Sequence, residues 1–342
     1  MRKIMFFRQL IYTGGTEIGM LNLIKNLKGF DIYVGYGDDT SDKDLLNEFG
    51  KYAHVININD DIDVEFDILI LCTTKFYQID RLDYIKRKKD ILWLHFLSKK
   101  PEFTPLVKKR FDKLDSIVSV SKTLTNVLCD MYPEYKNKIK TIYNVLDNDK
   151  IINNSKVDID LNLSNTLNLV TVARVSHAKG FDRMLHLANI LKESNIDFKW
   201  FIVGDNYYKD EYLEIRDKFK DLEDNFYWFG FLDNPHNIVS KCDYSILLSD
   251  TETWGLVITE AMILGIPCIA SDFDTAYEQI KDGYNGIILS RDNLDSYKKR
   301  INDILDNKDK YKKALNGFKY DNSKIIKKWE DILNEEIFSY NS

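Results

Sequence analysis

The sequence has only four cysteines, Cys72, Cys129, Cys242 and Cys268, far apart and without a Cys-x-x-Cys pair. That excludes a disulfide framework or a zinc ribbon and leaves buried free thiols in a reducing cytosol as the plain reading. No apolar stretch approaches the roughly 18 residues of a membrane span, and the four apolar residues 4–7 behind Met1-Arg2-Lys3 are too few for a secretory leader. The Gly-x-Gly-x-x-Gly dinucleotide fingerprint and the Walker loop are both missing. So are internal repeats and low-complexity tracts.

What is present is material for cores. Hydrophobic residues at 44% and aromatics at 13% exclude wholesale disorder. At roughly 100–200 residues per domain, 342 residues predict two domains with a cleft between them. Forty-eight Lys and Arg against 54 Asp and Glu give a net charge of −6, which argues against a nucleic-acid-coating chain. The charge is uneven. Region 81–113 holds 11 basic and 4 acidic side chains, an excess of +7 that leaves −13 for the rest. Its cations are Arg81, Lys86, Arg87, Lys88, Lys89, Lys99, Lys100, Lys108, Lys109, Arg110 and Lys113. They read either as solvated faces of two helices or as a surface drawn to an anionic membrane.

Short apolar runs alternate with amphipathic stretches. The spacing predicts strands at 4–7, 31–34, 54–58, 68–72, 91–95, 117–120 and 141–143, then at 169–173, 200–203, 226–229, 244–248, 267–270 and 286–289. Helical patterns at 17–27, 122–131, 181–192 and 259–264 lie between them, the βαβα rhythm of a parallel sheet covered on both faces. Two rounds of that rhythm predict two doubly wound domains, with the seam in the polar stretch 147–168. Met20, Leu23, Ile24 and Leu27 have the spacing of a buried helix face.

Four segments carry candidate chemistry, each after the carboxyl end of an expected strand, where open α/β sheets place ligands. In Ser249-Asp250-Thr251-Glu252-Thr253-Trp254-Gly255-Leu256, Glu252 sits on a loop and Glu260 in the following helix, eight positions on. Gly255 allows backbone to come close, and the helix start offers free N–H donors. Spacing alone equally describes two glutamates beside a surface helix. Arg174, Lys179 and Gly180 bracket a turn before a helix, a good pyrophosphate cradle or a solvated turn. His177 between them reads as a turn residue. Gly14 and Gly15 join the first strand to its helix, and His95 ends the fifth expected strand, where a lone histidine is commonly a packing residue.

Together these segments resemble the GT-B retaining glycosyltransferases of glycosyltransferase family 4. Glu252 and Glu260 match the family's Glu-x7-Glu motif, Arg174, Lys179 and Gly180 its Arg…Lys-Gly signature, and Gly14 and Gly15 its amino-terminal Gly-Gly loop. Asn144, the Val203-Gly204-Asp205 turn and Glu278 also have counterparts. Asn206-Tyr207 and Asp274 to Tyr277 depart from the pattern, which normally has further glycines there. The resemblance is moderate over the first 140 residues and strong from Arg174 to Leu289.

The resemblance implies an α/β GT-B fold of two Rossmann-like domains facing a cleft. Residues 1–147 would bind acceptor and 148–323 the nucleotide-sugar, with a last helix in 324–342 returning to the first domain. It implies a retaining, metal-independent transfer of a hexosyl-type sugar from a nucleotide-sugar such as a UDP-sugar to a hydroxyl of a glycan or lipid-linked glycan. The setting would be bacterial cell-surface polysaccharide assembly, in the cytoplasm or against the inner face of the membrane. Arg174 and Lys179 would stabilise the leaving diphosphate, so no cofactor or metal is needed, and no Asp-x-Asp segment recommends itself as a metal site. Glu260 would hold the ribose, Glu252 the donor sugar, Gly14, Gly15, Gly204, Gly255 and Leu256 the donor's other parts, and His95 the sugar from the opposite domain. A phosphorylase or epimerase of the same fold, or a non-catalytic glycosyltransferase-like partner subunit, are the alternatives.

Overall fold

The computed structural model describes residues 1–72, 82–95, 105–205 and 208–336. The chain divides into two compact units, Met1–Leu146 with Asp321–Ser342, and Asp147–Tyr320. In the first, β1 (Arg2–Phe7), β2 (Phe30–Tyr36), β3 (His54–Asn57), β4 (Phe66–Leu71), β5 (Arg87–Leu94), β6 (Ser116–Ser119) and β7 (Ile139–Thr141) form one parallel sheet. Its order is β3-β2-β1-β4-β5-β6-β7. In the second, β8 (Leu167–Val172), β9 (Phe198–Val203), β10 (Phe226–Gly230), β11 (Tyr244–Leu247), β12 (Cys268–Ser271) and β13 (Gly286–Leu289) are also all parallel. Their order is β10-β9-β8-β11-β12-β13.

Both sheets are therefore doubly wound, and the order of strands along each reverses once: between β1 and β4, and between β8 and β11. Loops leaving the carboxyl ends of those two central strands diverge to opposite faces and open a crevice, the usual ligand position in such sheets. The central strands are buried on both faces, as parallel sheets require: Ile68 to Leu71 are fully buried, and so is β11. In the second unit Phe219 packs edge-on to Phe226 at 4.7 Å, with Trp200 stacked on Phe226 at 5.3 Å. Cys72, Cys242 and Cys268 are buried in these cores, where desolvation pushes their thiols up and out of reach of ionisation.

Each expected strand has a counterpart, with informative shifts at the ends. β5 starts at Arg87, four residues before its apolar run, because its charges are paired: Arg87 with Asp90 at 3.0 Å and Lys88 with Asp67 at 2.7 Å. β7 ends at Thr141, two residues before the expected end. The helix of Glu260 begins at Leu256, three residues early, because Gly255 in the left-handed region (φ +77°) sets the chain into its first turn.

The last helix, Asn322–Asn334, lies in the first unit. Trp329, fully buried, meets Trp93 of β5 edge-on at 4.8 Å, and Lys89 Nζ donates to the Ile332 carbonyl at 2.9 Å. The Asn322 side chain accepts from Leu146 N at 3.1 Å and donates to Leu146 O at 2.6 Å, clamping the chain's two passages together. Among the described residues no helix is long and apolar enough to cross a membrane.

Among the described residues the cations of 81–113 differ in burial and pairing. Lys89 and Arg110 are buried, Arg87 is tied to Asp90, and Lys88 and Lys108 pair with Asp67 and Glu134. Lys86, Lys109 and Lys113 are exposed, as are the paired Lys88 and Lys108. Arg81, Lys99 and Lys100 lie outside the described residues.

Candidate functional site

In the second unit the loops after β8 and β11, the two strands flanking the switch point, are locked to each other. Gly180, at φ +75°, lets its backbone reach the carbonyl of Leu248; a Cβ there would stand 1.8 Å from that oxygen. Arg183 Nε donates to the same carbonyl at 2.8 Å, and its other end pairs with Asp250 at 2.5 Å. Asp250 N in turn donates to Ala178 O at 2.9 Å. Only glycine fits position 180, so the Lys-Gly pair follows from the close approach of the two loops.

That lock brings Lys179 to Glu252. Lys179 Nζ lies 2.5 Å from Glu252 Oε1, and Ser249 Oγ donates to the same oxygen at 2.7 Å. Thr275 Oγ1 holds the Glu252 carbonyl at 2.9 Å, and Ser271 Oγ the Ser249 carbonyl at 2.5 Å. The loop backbone is fixed at several points, so the carboxylate position is set before any ligand arrives, the preorganisation that electrostatic catalysis needs. Both partners remain partly open, with 23% and 15% of their side chains exposed.

Beyond Glu252 the chain turns at Gly255 into helix Leu256–Ile263, whose first N–H groups have no side-chain cap. Trp254 is buried, its Nε1 donating to Thr259 Oγ1 at 3.1 Å, while Thr259 donates to Gln279 at 2.6 Å and Gln279 to the Trp254 carbonyl. Glu260, within that helix, keeps 20% of its side chain exposed and has His236 Nε2 3.5 Å from Oε2. Arg174, two residues past β8, is exposed, with no ion pair or hydrogen bond to its guanidinium among the described residues. Gly204, at φ +147°, passes so near Ala173 that a Cβ would stand 1.9 Å from its carbonyl. His177 is a turn residue beside Asp182 and Glu214.

The first unit has its own constellation at the end of β1. Helix Gly15–Asn26 starts behind the Gly14 turn, and Gly14 is in ordinary extended backbone (φ −161°), so its missing side chain matters for space. A Cβ on Gly14 would come 3.1 Å from Glu17 Oε2. Glu17 is fully buried and pairs with Arg8 Nε at 2.8 Å; burial pushes its carboxyl up against the pull of that guanidinium. Arg8 also donates to Cys72 O at 2.8 Å. His95, half-buried, stacks obliquely on Trp93 at 4.5 Å. Burial, then the Arg8 charge, push its imidazole down to about 3, so it is neutral at physiological pH. Gly19 leaves room for the buried Asn144: a Cβ there would sit a tight 3.1 Å from its Oδ1, and at an ordinary contact of 3.6 Å from His95.

Thus Lys179, Glu252, Gly180 and Gly255 come together on one switch point, with Glu260 on the helix behind, while Gly14, Gly15 and His95 belong to the other unit. Sequence reasoning missed the supporting residues Ser249, Arg183, Thr275, Gln279 and His236. Ser249 lay inside the segment it singled out, whereas His236 stands 24 positions before Glu260 in no motif.

Two doubly wound parallel-sheet units, with the chain's last helix in the first, define the GT-B fold of glycosyltransferases. Residues 158–317, which lie within the second unit, match the family described as Glycosyl transferases group 1. Among curated relatives, N-acetyl-alpha-D-glucosaminyl L-malate synthase of Bacillus anthracis is 25% identical over 196 residues, 56% of this chain and 50% of that protein. The O-antigen biosynthesis glycosyltransferase WclY of Escherichia coli is 29% identical over 161 residues, 46% of this chain and 43% of that one. The chain thus matches about half the length of these curated relatives. Among solved structures, Anabaena Alr3699/HepE in complex with UDP-glucose superposes with a TM-score of 0.80 at 20% identity, covering 98% of this chain and 100% of that one.

Proposed function

We propose that the protein is a retaining glycosyltransferase that moves a sugar from a UDP-sugar to a hydroxyl of a bacterial glycan acceptor, without a metal ion. The observation that carries this reading is the 2.5 Å pair of Lys179 with Glu252, joining the loops that leave the carboxyl ends of β8 and β11, with Arg174 exposed two residues past β8. When the glycosidic bond breaks, the diphosphate gains negative charge. Arg174 and Lys179 are cations placed to receive it, electrostatic stabilisation worth about 3–4 kcal/mol per donor in well-formed sites. As Lys179 turns to the phosphate, Ser249 keeps Glu252 in place, and the carboxylate binds a donor-sugar hydroxyl and favours oxocarbenium character.

The acceptor hydroxyl attacks from the face the diphosphate leaves, and a phosphate oxygen takes its proton; no covalent nucleophile is assigned. Glu260 holds the ribose hydroxyls, and the N–H groups at Gly255 and Leu256 contact the donor. Gly204 admits it closely. From the first unit, Gly14, Gly15 and neutral His95 serve the donor, His95 as an uncharged partner for a sugar hydroxyl. The first unit also takes the acceptor in this reading. The reading is supported by the UDP-glucose complex of the structurally similar Anabaena protein and by the O-antigen role of the Escherichia coli relative. Contact with an anionic membrane through 81–113 would rest on Lys86, Lys109 and Lys113 among the described residues.

The test is to offer the purified protein a panel of nucleotide-sugars, scoring binding, hydrolysis and anomeric configuration of product by NMR, with and without EDTA. UDP-sugar turnover with retention that survives EDTA is expected. Inversion, or loss to chelator with rescue by manganese, overturns the mechanism, and product formed from donor plus inorganic phosphate would make it a phosphorylase.

A further inference from the structure

His236 has no part in any motif of this sequence, yet it stands against the carboxylate assigned to the ribose. Its Nε2 lies 3.5 Å from Glu260 Oε2, just beyond hydrogen-bond length, and both ring nitrogens are enclosed without a hydrogen-bond partner. An enclosed imidazole with neither nitrogen satisfied is costly unless a partner arrives during function. Its backbone is held for that purpose. Pro235 precedes it, Asn234 Oδ1 accepts from His236 N at 3.2 Å, and Asn234 Nδ2 donates to Asn154 O at 3.0 Å. The short helix His236–Val239 is therefore pinned to the neighbouring helix Asn148–Ser155.

We propose that His236 is a positioning residue for the nucleotide's ribose: it donates from Nε2 to Glu260 Oε2 and so turns the carboxylate to accept from the ribose hydroxyls. The inference rests on the assignment of Glu260 to the ribose. A small shift of Glu260 closes the 3.5 Å gap. One oxygen then belongs to His236 and the other is free for the sugar. A freely rotating carboxylate would have to be ordered at each binding event, a cost that His236 removes in advance. The gain should appear only with ligands that carry ribose hydroxyls.

The experiment is calorimetry with UDP and with its 2′,3′-dideoxy analogue, on the parent chain and on His236→Leu, His236→Gln, Glu260→Gln and the His236→Leu/Glu260→Gln pair. His236→Leu is expected to weaken UDP about tenfold, the size of one charge-assisted hydrogen bond. Binding of the dideoxy analogue should stay within about twofold, which also shows that the site is folded. His236→Gln, with an amide N–H in nearly the place of Nε2, should restore UDP to within about threefold of the parent. The double variant should lose little more than Glu260→Gln alone, because both changes remove one contact. Equal weakening of both ligands by His236→Leu, no rescue by Gln, or additive losses would overturn the positioning role. If Glu260→Gln weakens UDP while His236→Leu does not, this inference alone fails. If Glu260→Gln leaves UDP binding unchanged, the ribose assignment falls and the inference with it.

Discussion

Lys179 and Ser249 bind one and the same oxygen of Glu252, the ammonium at 2.5 Å and the hydroxyl at 2.7 Å. In the proposed reaction this lysine has two duties: it neutralises the carboxylate before the donor binds and turns to the diphosphate when one arrives. Ser249, itself fully buried, keeps the carboxylate oriented during the exchange. Because Coulomb attraction strengthens as phosphate charge grows, the proposed role makes the lysine matter more to the transition state than to the bound donor.

Lys179→Ala should therefore lower kcat by about 100-fold or more, with a smaller change in donor KM. Steady-state kinetics with the best UDP-sugar decide it. A kcat within a few-fold of the parent, in a variant that melts normally, would remove Lys179 from the chemistry.

The two glutamates should separate by ligand. Glu260→Gln is expected to weaken free UDP, whereas Glu252→Gln should leave UDP binding nearly intact and impair turnover, because UDP lacks the sugar assigned to Glu252 in the proposed reaction. Calorimetric losses of the same size in both variants would erase that division of labour.

The parts of this site legible in the sequence are those with local causes. Gly180 and Gly255 both carry a positive φ that the next turn of chain demands, and Arg174 and Lys179 follow a strand that its apolar run announces. The strands themselves were legible because a sheet covered on both faces writes continuous apolar runs. The first half of β5 was not, since Arg87, Lys88 and Lys89 find counter-charges on Asp90, Asp67 and Glu335, the last of them 246 positions away. His236 was hidden for the same reason: its relation to Glu260 exists only after β10 and β11 have taken places on opposite sides of β8 and β9. The charge count over 81–113 is limited in a related way, because a sum along the chain cannot tell a buried Lys89 from an exposed Lys86.

His95 makes a prediction with a definite sign. Its folded pKa is depressed to about 3, against about 6.5 for an unfolded histidine. Between those values the unfolded chain binds a proton that the folded chain refuses, so stability falls as pH is lowered from 6.5 toward 3, by up to about 1.4 kcal/mol per pH unit. Above 6.5 the residue contributes no slope. Glu17, raised by burial, acts in the opposite sense, so the comparison must be with a His95 variant. His95→Asn should flatten the fall in denaturant midpoint between pH 6.5 and 5 relative to the parent. Parallel pH profiles for the two proteins would mean that His95 is not held neutral by its surroundings.

The last helix tests how the first unit is held together. Trp329 is fully buried and packs on Trp93, while Ile325, Ile332 and Leu333 complete a buried stripe. Lys89, buried inside β5, has its ammonium satisfied by the Ile332 carbonyl and by Glu335 at 3.1 Å, so removing the helix would leave a buried cation unpaired as well as an apolar face uncovered. Trp329→Ala should cost about 3–5 kcal/mol, and truncation after Ser323 more. Local stability shows where the cost falls. Amide exchange should accelerate first in β5 and its neighbours β4 and β6, and least in β8 to β13, which belong to the other unit. Lys89→Met separates the two contributions: it removes the charge that needs a partner, so the truncated chain should be less destabilised in that background than in the parent. Unchanged exchange in β5 of the truncated protein would mean that this strand draws its stability from the sheet alone.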